Sequence, residues 1–324
     1  MIGRYRLLVL ACVVLASGAV HAQSPGPYPS RPVRIVVGSS PGGTADTVAR
    51  LLALNLSERL GASFVVENRA GASGGIAAVL VAKSPADGYT LMLGAVNSHA
   101  IFPSLAKDPQ YDHIKDFAPV SLISTSPNVL MVHPSSAAKT AADLIDLLKR
   151  NPGKYNYGSA GLGSSQQLGM EILLQSVGSK MTHIPFAGSG QLLAALVANN
   201  IDVAFDTMTT AVPLVQAGTL RALGVSSLRR SPIIPDVPAV AEFVPDFDVT
   251  AWNAIFAPAG TPQPIVDKLS TTIAAIMQSP AIVQRLKELG TTAHGSTPAE
   301  LADRVARDTR KFAAALAAAG IGRQ

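Results

Sequence analysis

The sequence predicts an α/β protein of two lobes, each with a mainly parallel β-sheet flanked by helices. The chain of 324 residues is long enough for two domains. Short apolar runs rich in β-branched residues alternate with longer runs of helical periodicity, which is typical of parallel sheets covered by helices. The alternation occurs in two similar halves. Extended segments at 120–131 and 250–256 are the predicted crossings between the lobes, so we expect a hinge with two connections.

The chain begins with the pattern of a secretory signal peptide. Arg4 and Arg6 precede an apolar run over 7–20, and small residues at 20–22 fit a cleavage site. The apolar run is shorter than the roughly 20 residues that span a bilayer, although an uncleaved anchor is the alternative. We therefore expect a cleaved signal peptide over residues 1–22 and an exported mature protein.

Composition argues against several classes of function. Cys12, the single cysteine, lies inside the predicted signal, so the mature chain has no disulfide and no cysteine metal site. Lipidation of Cys12 is the alternative, but the apolar core before it would be too short. The formal net charge of +5 falls by two when the signal is removed, and a weakly positive chain suits small anions better than nucleic acid. We expect no metal and no cofactor, because the histidines lack metal-ligand spacing and no nucleotide fingerprint occurs.

The first predicted lobe begins with strands and helices in strict alternation. Buried strands are predicted over 33–37, 64–66 and 89–93. Helices are predicted to open at Gly42-Gly43-Thr44 and in the segment 71–75, and the first carries apolar residues at helical spacing.

The second predicted lobe repeats this order, and a helical tail follows it. Strands are predicted over 129–132, 155–158, 182–184, 202–205 and 221–225, and helices over 141–150, 166–177 and from 188 to about 199. The tail is predicted to be helical over 263–277, 282–289 and 298–319. We assign residues 28–124 plus 254–324 to lobe 1 and residues 125–253 to lobe 2.

Four strand-to-helix turns are rich in glycine and serine, at 38–44, 69–75, 158–165 and 187–190. In an open α/β sheet the carboxyl ends of the strands face the ligand crevice. Helices that begin there present free N–H groups and a positive dipole end, which together bind anions without a cationic side chain. The glycines of one such turn have a purely structural explanation, but four turns at equivalent places favour a shared anion site.

Several single residues have two interpretations. Asp206 follows a strand and either faces the crevice or caps the next turn, while Asp46 is a partner of the helix dipole in a first turn. Trp252, the single tryptophan, either packs in the core or lines the hinge side of the crevice. Ser40 and Ser73 match the G-x-S-x-G spelling of a serine hydrolase. His294 is a conceivable histidine for a triad, but it has no obvious acid partner.

A series of short motifs resembles the tripartite tricarboxylate transporter substrate-binding receptors, the Bug (TctC) family of periplasmic proteins. The similarity runs from Tyr28 through nearly the whole mature chain. Its strongest stretches are Pro41-Gly42-Gly43-Thr44-Ala45-Asp46, Glu67-Asn68-Arg69 with Gly71, the segments 82–91 and 115–120, Tyr157-Gly158-Ser159-Ala160-Gly161, Gly188-Ser189-Gly190, Arg229-Arg230-Ser231-Pro232, the segment 235–238, and the segment 256–262. Two positions depart from the family pattern: Ser39 replaces a bulky aromatic residue, and Ala70 replaces a proline.

The resemblance implies a type II periplasmic binding protein fold and a non-enzymatic receptor that delivers a small carboxylate to the membrane subunits of a tripartite tricarboxylate transporter. We expect a periplasmic monomer without nucleic-acid partners, and a secreted sensor that presents its ligand to a signalling partner is an alternative role. The resemblance implies a first-lobe ligand site that comprises Ser40, Gly42, Gly43, Thr44, Ala72, Ser73 and Gly74, and we add Ser39 and Asp46 to the predicted site. In the second lobe it comprises Ser159, Gly161, Ser164, Ala187, Gly188 and Asp206.

Overall fold

The computed structural model describes residues 28–186, 188–318 and 320–322. The predicted signal peptide, residues 1–22, and the predicted site residue Ala187 lie outside these ranges. Across the described ranges, no helix has both the length and the apolar character needed to cross a membrane.

Within the described ranges, ten strands form the sheet structure. They are β1 (Val33–Val37), β2 (Phe64–Asn68), β3 (Thr90–Ala95), β4 (Phe117–Val132), β5 (Asn156–Ser159), β6 (Thr182–Pro185), β7 (Val203–Thr207), β8 (Arg221–Val225), β9 (Thr250–Pro258) and β10 (Thr292–Ala293).

Helices cover both faces of the sheets. They are α1 (Thr44–Leu60), α2 (Gly75–Ala82), α3 (Phe102–Leu105), α4 (Ala141–Arg150), α5 (Ser165–Val177), α6 (Ser189–Val197), α7 (Met208–Gln216), α8 (Gln263–Met277), α9 (Pro280–Glu288) and α10 (Pro298–Ala318). Short 3₁₀ turns at Ala72–Gly74 and Val240–Glu242 and a π-helical turn at Asn97–Ile101 complete the regular structure.

The strands form two sheets that share β4. In the first lobe β2, β1 and β3 run parallel, and β9, β4 and β10 continue the sheet in antiparallel pairs. In the second lobe β6, β5 and β7 run parallel, and the last part of β4 pairs antiparallel with both β7 and β8. The sequence predicts mainly parallel sheets, whereas the observed sheets are mixed because the crossing strands enter each parallel set in the opposite direction.

The predicted crossings at 120–131 and 250–256 correspond to β4 and β9. These strands pair with each other from Phe117 opposite Pro258 to Pro127 opposite Thr250, with two register shifts. Beyond Pro127, β4 continues into the second sheet. The two lobes are therefore joined by a hydrogen-bonded pair of strands rather than by two separate linkers.

The apolar core is continuous between the lobes on one side of the sheets. One cluster lies under α1, α8 and α9 in the first lobe, and another lies under α6 and α7 in the second. A third runs from Met92 in β3 through Trp252 and Phe256 in β9 to Phe205 in β7 and Phe312 in α10. Helix α10 covers this third cluster and contacts α5 of the second lobe as well as α3 of the first. The C-terminal helix, predicted as part of lobe 1, thus bridges both lobes.

Local sequence explains where several helices begin and end. Thr140 caps α4 by accepting from the backbone N–H of Asp143, whose side chain accepts from the N–H of Thr140 in return. Helix α1 begins after Gly43 without a capping side chain and ends at Gly61, which has a left-handed backbone. No side chain therefore occupies the start of α1.

Candidate functional site

A cavity of about 360 Å³ lies between the lobes, where strand ends of both sheets meet the crossing strands. The first lobe contributes Gly38, Ser39, Thr44, Ser73 and Gly74, and the second contributes Ser165, Gln166, Thr207 and Thr209. The crossing strands and the turn after β3 contribute Ser126, Trp252, Asn253, Asn97 and Ser98. Every lining residue that the structure describes is uncharged. Both lobes therefore face one uncharged cavity whose wall combines polar and apolar residues.

Two glycines bring the loops after β1 and β2 into contact. A Cβ atom added to Gly38 would lie 2.7 Å from the Cα atom of Gly74, so only glycine allows this approach. Gly74 has a φ of 90°, and Ala72 and Ser73 before it also have positive φ values. This close approach places the start of α1 and the 3₁₀ turn before α2 side by side.

Asp46 fixes the loop after β1 by hydrogen bonds on the side away from the cavity. Its carboxylate is buried and accepts hydrogen bonds from the backbone N–H of Gly42 at 2.9 Å, Arg50 Nε at 3.0 Å and Asn68 Nδ2 at 2.9 Å. The hydrogen bond from Arg50 is the largest of the effects that lower the pKa of Asp46 to about 2. Asp46 does not line the cavity, and the Gly42 N–H is already paired. In this structure both residues shape the loop that borders the site, and their contact with a ligand stays a prediction.

Ser39 is the lining residue with an unpartnered buried side-chain atom. Its hydroxyl oxygen is buried and has no hydrogen-bond partner within the described protein. Its backbone carbonyl accepts a hydrogen bond from Asn68 Nδ2 at 3.1 Å, which fixes the loop at this point.

Three other predicted site residues of the first lobe are exposed at the loop surface and do not line the cavity. They are Ser40, Gly43 and Ala72.

Asp206 links three loops of the second lobe. It is fully buried, and its carboxylate accepts from Gln166 Nε2 at 3.1 Å, Ser189 Oγ at 2.7 Å and Thr210 Oγ1 at 2.9 Å. These partners lie at the starts of α5, α6 and α7. The side chain is shielded from the cavity and orients Gln166, which lines it. Asp206 neither faces the crevice nor caps the backbone of the next turn.

The remaining second-lobe residues predicted from the sequence stabilise their own loops. Ser159 is fully buried and contacts the carbonyl of Gly161 at 3.0 Å and His183 Nε2 at 2.7 Å. Ser164 caps α5 by accepting from the N–H of Gln167. Gly188 precedes α6 with a φ of 151° and does not line the cavity. None of these residues lines the cavity.

Most of the lining residues that the sequence did not indicate lie on the crossing strands, on the turn after β3, at the start of α5 and where β7 meets α7. The turn after β3 contains Asn97 and Ser98 but no glycine, so it lacked the signal that marked the other loops. Ser126 and Asn253 lie on the crossing strands, where small polar residues could have indicated an inward face. Trp252 is 1% exposed and packs in the apolar core beside the cavity, which favours the first of its two interpretations.

The described residues do not assemble a hydrolase triad around the predicted serines. Neither Ser40 nor Ser73 hydrogen bonds to a histidine in the part of the chain that the structure describes. Ser159 does contact His183, but the other ring nitrogen of His183 faces the Gln167 amide at 3.2 Å instead of a carboxylate. Over the described residues, no cluster of three potential metal ligands occurs.

Two α/β lobes, joined by crossing strands around a central cavity, define a solute-binding protein of the type II periplasmic fold. The chain belongs to the tripartite tricarboxylate transporter receptor family (TctC), whose sequence model matches residues 48–320. It is 37% identical to the UPF0065 protein in the tcbD-tcbE intergenic region of Pseudomonas sp. (strain P51), over 96% of this chain and 93% of that protein.

Solved structures agree with this assignment. One is Rpa4515 of R. palustris with adipate, which is 36% identical with a TM-score of 0.78, over 92% of this chain and all of that one. Another is MatC of Rhodopseudomonas palustris with bound malate, which is 32% identical with a TM-score of 0.73, over 89% of this chain and all of that one. The family resemblance and the fold class predicted from the sequence are therefore confirmed.

Proposed function

We propose that this protein is a periplasmic receptor that binds a small carboxylate between its lobes and delivers it to the membrane subunits of a tripartite tricarboxylate transporter. The observation that carries the proposal is the cavity of about 360 Å³ at the strand ends of both lobes. Its volume falls within the range of small-molecule sites. In this proposal the chain is a monomer, is exported by a cleaved signal peptide and has no catalytic role.

The start of α1 supplies the attraction for a carboxylate. Thr44 and Ala45 lie in the first turn of this 17-residue helix and line the cavity, and no side chain caps the preceding Gly43. The first N–H groups of a helix have no intrahelical partner, and the helix dipole adds positive potential there. The site can therefore hold an anion without an arginine or lysine in its wall.

The remaining wall suits a ligand with an apolar body. Val37, Leu93, Val96 and Ala251 contribute apolar surface to the same cavity. We expect a mono- or dicarboxylate with a short hydrocarbon or hydroxylated chain. The structural relatives with adipate and malate support this ligand class.

Delivery follows from closure of the lobes around the paired strands β4 and β9. Closure brings together surfaces that are apart in an open form, so a transporter that contacts both lobes distinguishes the loaded receptor. A secreted sensor would use the same cavity and the same closure. Capture of the transporter's membrane subunits from solubilised membranes would support delivery, whereas capture of a sensor kinase would support sensing.

A thermal-shift panel tests the ligand class. The mature protein, starting at Gln23, is mixed with adipate, malate, citrate, benzoate, glucose and AMP. A ligand at 100 times its dissociation constant should add about 2.7 kcal/mol to the free energy of unfolding. We expect a shift with one or more carboxylates and none with glucose or AMP. Binding of the neutral sugar alone would contradict the proposal.

Replacing Gly43 by leucine tests whether the start of α1 holds the anion. A Cβ atom at Gly43 would meet nothing closer than 3.6 Å, so the fold accepts a side chain there. The leucine would cover the N–H groups of the first turn. We therefore expect the variant to lose carboxylate binding, while the melting temperature of the unliganded protein stays unchanged.

A serine hydrolase is the alternative function. It would be supported if the protein hydrolysed esters and if Ser40→Ala or Ser73→Ala removed this activity.

A further inference from the structure

The start of α7 in the second lobe contacts the turn that joins α9 to β10 in the first lobe. The hydroxyl of Thr209 donates a hydrogen bond to the backbone carbonyl of Leu289 at 2.9 Å. A Cβ atom added to Gly290 would lie 2.9 Å from the backbone nitrogen of Thr209 and 3.1 Å from the Cβ atom of Met208. Only glycine therefore allows the two lobes to approach so closely at this point.

Both sides of this contact are packed against the interior. Met208 is fully buried, and Gly290 and Thr291 are buried in the turn. The turn is fixed by its own hydrogen bonds, because the N–H and the hydroxyl of Thr291 both donate to the carbonyl of Leu286 at 3.0 Å. A side chain at position 290 would therefore push α7 away from the turn.

The two sides of the contact flank the point where β4 passes from the first sheet to the second. In the first sheet, Thr292 of β10 pairs with Thr125 of β4. In the second sheet, Thr207, the residue before α7, pairs with Asn128 of β4. Only residues 126 and 127 of β4 lie between these pairs, so a bend of β4 at this point changes the distance between α7 and the turn.

Ser126 connects the same turn to the crossing strand. Its hydroxyl donates to the carbonyl of Gly290 at 3.0 Å. Because Ser126 and the turn both belong to the first sheet, a change in the angle between the lobes would leave this bond in place. The same change would break the bond of Thr209, which comes from the second lobe. The contact between α7 and the turn is thus sensitive to the hinge angle.

We propose that the contact of Thr209 with Leu289 and Gly290 is a hinge brace, which holds the lobes at their observed angle and slows release of the ligand. The part that concerns release rests on the function proposed above, whereas the angle between the lobes can be measured without a ligand. A ligand leaves only when the lobes separate, so the brace lowers the dissociation rate more than it changes the association rate.

Spin labels test the hinge brace in the unliganded protein. The mature chain starting at Gln23 contains no cysteine, so Glu58→Cys on α1 and Lys149→Cys on α4 give one labelled site in each lobe. Both residues are exposed. We expect pulsed electron paramagnetic resonance to show an additional distance population in Gly290→Ala, because the new Cβ atom pushes α7 from the turn. An unchanged distance distribution in a folded Gly290→Ala protein would overturn the proposal.

Gly218→Ala is the matched control for backbone strain. Gly218 follows α7 with a φ of 69°, against 70° at Gly290, and its added Cβ atom would meet nothing within 4 Å among the described residues. Both alanine variants suffer the same left-handed strain, but the control places no atom between the lobes and should keep the wild-type distances.

Thr209→Val keeps the test decisive if Gly290→Ala does not fold. Valine has nearly the shape of threonine but donates no hydrogen bond. We expect the additional distance population in this variant as well, since the bond to Leu289 is lost. A folded Thr209→Val protein with the wild-type distances would then refute the hinge brace.

Rapid-mixing kinetics with adipate connect the hinge brace to ligand release. We expect Thr209→Val to raise the dissociation rate about fivefold, the effect of one ordinary hydrogen bond, with little change in the association rate. Thr272→Val is the control, because the hydroxyl of Thr272 donates to the carbonyl of Lys268 within α8. An unchanged dissociation rate in Thr209→Val would contradict the proposed effect on release. Failure of adipate to bind the wild type would count against this ligand, while the distance measurements would still decide whether the brace holds the lobes.

Discussion

Ser39 and Asp46 show at the residue scale how polar residues of one loop acquire different roles. Asp46 accepts three hydrogen bonds from its own surroundings, whereas the hydroxyl of Ser39 has no partner in the cavity wall. The sequence indicated that this loop belongs to the site. It could not indicate which residue faces the cavity, because that depends on the distant Asn68, which binds both the carboxylate of Asp46 and the carbonyl of Ser39.

Replacing Ser39 by alanine should separate binding from stability. Because the hydroxyl makes no intramolecular hydrogen bond, its removal should not lower the melting temperature of the unliganded protein. A lost hydrogen bond to a charged ligand should weaken binding about tenfold. Calorimetric titration and thermal unfolding measure the two effects, and Ser176→Ala, an exposed change on α5, is the control. Lower stability together with unchanged affinity would show that Ser39 has a structural role only.

At the scale of secondary-structure elements, Gly38 sets the distance between the starts of helices α1 and α2. In Gly38→Ala the new Cβ atom would lie 2.7 Å from the Cα of Gly74, so the two loops must separate. Such overpacking costs about 1–3 kcal/mol of unfolding free energy, which urea unfolding can measure. Gly190→Ala is the control, since its Cβ atom meets nothing within 4 Å in the first turn of α6 and alanine favours the helix. Equal stability of the two variants would refute this explanation.

Most of the strands and helices could be predicted from the sequence, and the exceptions have physical causes. Helices α4 and α8 and strands β1 and β8 lie where the apolar periodicity predicts them. Helix α7 was missed because it begins with Met208-Thr209-Thr210 and contains Pro213, so its local propensity is poor. Contacts with β4 and β7 stabilise it instead. The second-lobe wall was therefore the part of the site that sequence reasoning predicted least well.

At the scale of the whole molecule, buried histidines make stability depend on pH. Burial lowers the pKa of His99 to about 3, and it also lowers the pKa values of His113, His183 and His294. The unfolded chain binds protons at these residues below about pH 6.5, while the folded protein does not bind one at His99 until about pH 3. The unfolded state thus gains more protons on acidification, and the free energy of unfolding should fall as pH decreases through this window.

Urea unfolding between pH 7 and pH 5 measures the contribution of His99. His99→Gln should reduce the pH dependence by up to one proton, or about 1.4 kcal/mol per pH unit well below pH 6.5. His133→Gln is the control, since His133 lies near the surface and bonds locally to Ser135. An unchanged slope in His99→Gln would mean that His99 takes up a proton in the folded protein.

The uncharged wall of the cavity has a consequence for how the protein responds to pH. None of the described lining residues carries a side chain that titrates between pH 5 and pH 8. The backbone N–H groups at the start of α1 keep their polarity at every pH in that range. Mild acidification would thus weaken the folded scaffold without changing the charge of the side chains that line the binding surface.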